Sequence, residues 1–149
     1  TLDVNQIGNN NKMLGDINAD TFTGIFDFDG DTNSYTIQVD PTNTYGADNS
    51  NVNVDVDGNT NTFSLDLATN ALASGADIDT IVQGDSNTVN IDLDVYASGY
   101  FKLEHDGNSR SFDVDQQSTL DNDWLRITSN GNNGTVCVNQ DDQGTAVGC

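Results

Sequence analysis

The sequence predicts an all-β chain, a β-solenoid of about six strand-arc-strand repeats, with an antiparallel β-sandwich or meander as the alternative. Three observations carry this. Apolar residues alternate with polar ones on both sides of recurring turn glycines, as in VNVDVDGNTNTFSLDL at 52–67. The same columns return copy after copy, and no segment has the spacing of a long amphipathic helix. A single proline and abundant Asn, Asp, Thr and Gly also favour strands joined by turns.

Aligned on their glycines, the copies centre on Gly8, Gly30, Gly58, Gly84, Gly107 and Gly131. Two positions before glycine stand Gln6, Phe28, Val56, Val82, His105 and Ser129, and four before it Val4, Phe26, Val54, Thr80, Leu103 and Ile127. Five after it are Met13, Tyr35, Phe63, Val89, Phe112 and Val136; seven after it are Gly15, Ile37, Leu65, Ile91, Val114 and Val138. The column nine after glycine holds Ile17, Val39, Leu67, Leu93, Gln116 and Gln140. A period of two on each side of a fixed turn means two strands per copy, each burying one face, so these columns point inward. The intervening columns are polar, for example Asp16, Gln38, Asp66, Asp92, Asp115 and Asn139.

The turn reads Gly-x-x-Asn in four copies, with Asn11, Asn33, Asn61 and Asn87 closing it. Glycine supplies positive φ, and asparagine tolerates left-handed geometry and bonds nearby backbone. Copies five and six carry Arg110 and Gly134 there instead, as expected of terminal copies. Column-by-column matching favours stacking over hairpins, because stacking sets each residue on its own equivalent. The uneven linkers at 40–51 and 68–79 are expected to bulge from the stack as surface loops.

These columns resemble those of the curlin repeats of bacterial curli fibres. Gln6-Ile7-Gly8-Asn9-Asn10-Asn11 matches the first half of that motif, the turn asparagines fit, and Gln116 and Gln140 occupy the late glutamine place. Most copies lack the glutamines, and the linkers are longer. The resemblance implies a non-enzymatic, secreted structural subunit that stacks on itself head to tail into an extracellular filament, with biofilm, appendage or adhesion roles. A solenoid independently leads there, since its unpaired strand edges at both ends invite a second copy. Two alternatives stand beside it: a calcium-stabilised or glycan- or surface-binding β-module, and a pilin-like subunit whose residues 1–7 are donated to a neighbour.

Composition narrows the partners. The 149 residues suffice for a single repeat domain over 1–149, and the formal charge of −20 repels phosphate backbones and anionic headgroups. No nucleic acid and no membrane insertion are expected; cations are. The start at Thr1-Leu2-Asp3-Val4, already in strand pattern, suggests a processed product at an extracellular, cell or virion surface. There Cys137 and Cys149, the only cysteines, are expected to close a C-terminal disulfide loop.

Four further constellations stand out. In DFDGDTN and DVDGNTN, residues Asp27, Asp29, Asp31, Asp55 and Asp57 offer calcium-type oxygens, although alternating Asp also marks any half-exposed acidic strand and neither segment is an EF-hand. Stacking would set Asp66, Asp92 and Asp115 in one self-repelling column that divalent ions or salt relieve. Tyr100 and Trp124 share an outward column seven before glycine, either a sugar-binding platform or rings packed under the loops. Lys102 and Arg126 share another, as solvated counter-charges. Catalysis finds no support: His105 lacks a nucleophile in known context, and no phosphate loop or CxxC pair is present.

Overall fold

The computed structural model describes residues 1–19, 21–40, 47–67, 73–97, 99–118 and 124–141, with backbone alone at 73, 94–97, 117, 118 and 141. The chain is a β-solenoid. Its strands are β1 (Leu2–Ile7), β2 (Lys12–Ile17), β3 (Thr23–Asp29), β4 (Ser34–Val39), β5 (Asn51–Asp57), β6 (Thr62–Leu67), β7 (Ala73–Ser74), β8 (Asp77–Gln83), β9 (Thr88–Ala97), β10 (Tyr100–Asp106), β11 (Ser111–Ser118), β12 (Trp124–Asn130) and β13 (Thr135–Asp141). Strands before the glycines form one sheet, β1-β3-β5-β8-β10-β12, and strands after them form the second, β2-β4-β6-β9-β11-β13. Every pairing is parallel, which excludes the antiparallel alternative.

Register follows the glycine alignment column for column. Val4 pairs Phe26, Phe26 pairs Val54, Val54 pairs Thr80, Thr80 pairs Leu103 and Leu103 pairs Ile127. In the other sheet Gly15, Ile37, Leu65, Ile91, Val114 and Val138 pair in the same succession. A one-residue slip would turn every side chain to the wrong face, and the buried columns forbid it.

Between the sheets lies one continuous core, from Phe26 and Phe28 to Phe112 and Val114. Phe28 and Tyr35 face each other across it with ring centroids 3.7 Å apart. Burial, helped by the Asp29 charge, pushes the Tyr35 hydroxyl up to about 12.

The linkers correct one expectation. Where described, they do not simply bulge: Asp40, Ala47 and Ser50 are buried, and Asn49 N–H donates to the Ser74 carbonyl at 2.7 Å. Ser74 N–H in turn donates to Asp48 Oδ1, and β7 pairs with β9, so the linkers of successive copies stack as well.

Candidate functional site: turn ladders, aromatic pair and open ends

The turn is the most strongly repeated local structure. Glycine φ runs from +107° at Gly84 to +155° at Gly107 across the six turn glycines, and the residue two further on adopts left-handed geometry in every copy, including Thr32 and Thr60. A Cβ on Gly30 would overlap the Gly8 carbonyl oxygen, and Gly58, Gly84, Gly107 and Gly131 stand in the same relation to the glycine before them. Glycine is therefore demanded by the close approach of stacked turns as well as by φ.

Two side-chain ladders cross-link these turns. Sequence reasoning anticipated the asparagine column three after glycine: Asn33 Oδ1 accepts from Asn11 N–H at 2.7 Å, Asn61 Oδ1 from Asn33 N–H at 2.8 Å, and Asn87 Oδ1 from Asn61 N–H at 2.8 Å. Their amides donate to glycine carbonyls, Asn61 Nδ2 to Gly30 and Asn87 Nδ2 to Gly58. Arg110 replaces the fifth rung, reaching the Gly107 carbonyl through Nη1, and a Cβ on Gly134 would overlap its side chain.

The second ladder was missed. Directly after each glycine stand Asn9, Asp31, Asn59, Asp85, Asn108 and Asn132, and each side-chain oxygen accepts from the backbone N–H of the next: Asn9 from Asp31, Asp31 from Asn59, Asn59 from Asp85, Asp85 from Asn108, Asn108 from Asn132. This ladder spans all six copies. The signal was present as an unbroken Asn/Asp column, but Asn and Asp suit turns for local reasons too.

Of the acidic candidates, Asp27 pairs Asp55 and Asp29 pairs Asp57 on the outer face of β3 and β5, whereas Asp31 Oδ1 is engaged in the turn ladder. Among the described residues no group of three or more His, Cys, Asp or Glu is arranged to hold a metal ion. Asp55 has its pKa raised by partial burial and by Asp27 and Asp57. On the second sheet Asp66, Asp92 and Asp115 do fall in one column and line an open groove with Asp113; partial burial and these three carboxylates raise the pKa of Asp92.

Tyr100 and Trp124 are brought together. Their rings stack at 4.3 Å and 3°, and they remain 38% and 41% exposed on the outer face of β10 and β12. Beside them Lys102 Nζ bridges Asp79 at 3.4 Å and Glu104 at 3.3 Å. Desolvation alone would lower its pKa, but Glu104 and Asp79 hold it above the usual lysine value. His105 is buried against Phe112, with neither ring nitrogen in a hydrogen bond of good geometry. Burial, reinforced by Arg110, lowers its pKa, partly offset by the Gly84 backbone, Asp106 and Asp85. Cys137 is disulfide-bonded; Cys149 lies outside the described residues.

The two ends of the stack are open among the described residues. Strands β1 and β2 form one end and β12 and β13 the other, each paired on a single side. Inward columns that are fully buried in the middle surface here: Val136 is 43% and Val138 41% exposed, and Leu2 is exposed at the opposite end. Residues 1–7, the donor segment of the pilin-like alternative, include β1, which pairs with β3 of its own chain.

Compared with known proteins, the chain matches no family model, no curated protein and no solved structure.

Proposed function

We propose that this chain is a secreted structural subunit that assembles head to tail, by parallel strand stacking, into an extracellular filament of the curli type. The observation that carries the reading is the pair of open ends. Among the described residues each presents two parallel strands paired on one side only, and the last copy exposes Val136 and Val138 from columns that are buried in the middle of the stack. Paired edges and covered apolar columns are the general remedy for such ends, and an open, repeating contact between identical chains propagates into a fibre. The charge of −20 sets the conditions: assembly proceeds best where salt or divalent cations screen the acidic columns.

Negative-stain microscopy and sedimentation of the purified chain over a concentration series, with and without calcium, test this. Filaments above a threshold concentration support it. Uniform small particles at every concentration, salt and calcium level contradict it.

A second reading is favoured by the Tyr100–Trp124 pair, whose two stacked, exposed rings suit a sugar ring or another flat apolar face. Quenching or enhancement of the fluorescence of the lone Trp124 on titration with oligosaccharides supports a glycan-binding module, and an unchanged spectrum argues against it.

A further inference from the structure

The geometry points to one specific joint between molecules: the β12–β13 end of one chain meets the β1–β2 end of a second copy in the same register as every internal step of the solenoid. This rests on the assembly reading and specifies its partner surface and polarity.

Hydrogen bonding is complementary at the two ends. Inside the chain each turn glycine donates its N–H to the carbonyl before the next glycine, as Gly8 does to Asp29 and Gly107 to Asn130. Among the described residues Gly131 carries the same donor with no later strand paired to it, and Ile7 the matching acceptor with no earlier one. The Asn/Asp ladder likewise ends on the Asn132 Oδ1 acceptor and begins on the Asn9 N–H donor, so a joint in register extends it without interruption.

Charge is complementary too. In the column five before glycine, Lys102 lies between Asp79 and Arg126 and pairs with Asp79. Arg126 makes no ion pair among the described residues, and neither does Asp3, the first member of the column. The joint sets Asp3 of the second copy beside Arg126, repeating the Asp79–Lys102 arrangement. A shift of two residues sets Arg126 against Asn5 or Thr1 instead and leaves the pair unmade. Packing agrees: the exposed Val138 comes to lie over Gly15, which has no side chain to obstruct it.

The test uses the full chain. D3R places a third cation beside Arg126 and Lys102, and R126D sets an anion against Asp3. Each raises the concentration needed for assembly about tenfold, while the D3R/R126D swap returns it to within about twofold of the parent, because like charges are separated again. Asp3 is outward and makes no ion pair among the described residues, so thermal unfolding of the D3R monomer stays unchanged and serves as the folding control, while R126D, which comes beside Lys102 of its own chain, unfolds no lower than the parent. Independently, N5C/T128C chains form covalent ladders under oxidation of preformed filaments, since the two positions are directly opposite in this register. The shifted pair N5C/R126C does not. Filaments indifferent to both charge reversals, with no N5C/T128C cross-links, overturn the register and leave the assembly reading standing. A parent chain that never assembles overturns both.

Discussion

The middle of the stack and its last copy are built from the same columns, yet they sit in different environments. Ile37, Leu65 and Ile91 are buried, whereas Val138, in the same column, is 41% exposed. Asn61 is buried and bonded to copies on both sides, through Asn33 N–H, Asn87 Oδ1 and the Gly30 carbonyl, whereas Gly134 in the last turn has no side chain to bond. The difference teaches that position in the stack, more than residue type, decides what a column contributes. In a solenoid each copy is stabilised by its nearest neighbours, so a copy with one neighbour has about half the interface of a copy with two.

The largest expected contrast is in the core. Leu65→Ala costs the monomer about 3 kcal/mol in denaturant unfolding, whereas Val138→Ala costs it under about 1 kcal/mol because the side chain is already half in solvent. Equal losses at the two positions would break the comparison. Assembly sharpens it, since Val138→Ala weakens filaments more than monomers.

Next come the ladders. Asn61→Ala removes an acceptor that two copies share and leaves the buried Asn33 N–H without its bond, at a cost of about 2 kcal/mol. Asn132→Ala removes an Oδ1 that accepts no hydrogen bond among the described residues and an exposed 3.3 Å bond from Nδ2 to Asn108 Oδ1, so it costs the monomer under about 0.5 kcal/mol and is felt mainly on assembly.

pH separates core from surface by sign. His105 has a lowered folded-state pKa, so the unfolded chain binds its proton first, and stability present above about pH 6.5 is lost as pH falls through the folded value. Asp55 and Asp92 have raised folded-state pKa values, so their repulsion is relieved as pH falls through those values toward the ordinary carboxylate range. As pH falls below neutrality, the melting temperature therefore carries a destabilising contribution from His105 and a stabilising one from Asp55 and Asp92. His105→Phe removes the first, and Asp92→Asn stabilises at neutral pH while reducing the dependence on salt. The smallest effect belongs to the turns: Thr60→Asn, at a left-handed position, stabilises by about 0.5–1 kcal/mol.

Much of this architecture is legible in the chain itself, for a physical reason. From Gly30 onward the turn glycines cannot be replaced without a clash against the copy before them, so they mark the register of both flanking strands. Burial then shows as strict alternation from Phe26 to Val114. The Tyr100–Trp124 stack follows from their shared column. Two features were not legible. The Asn9-to-Asn132 ladder is written in residues that turns prefer anyway, so composition alone does not separate a local cap from an inter-copy bond. The stacked linkers, with Asp40, Ala47 and Ser50 buried, have no repeat to announce them, because their contacts depend on chain geometry rather than on periodicity. Whether the calcium-type carboxylates bind ions is a question of ligand convergence, which one-dimensional spacing does not encode.

The central claim is that six stacked copies with open ends continue their own stacking from molecule to molecule. Fibre diffraction of aligned filaments tests it most directly. The account predicts a meridional reflection near 4.8 Å and a subunit repeat of about 29 Å, six rungs at the ordinary strand spacing. Filaments whose strands run along the axis, or a preparation that stays as single particles under all conditions, would contradict it.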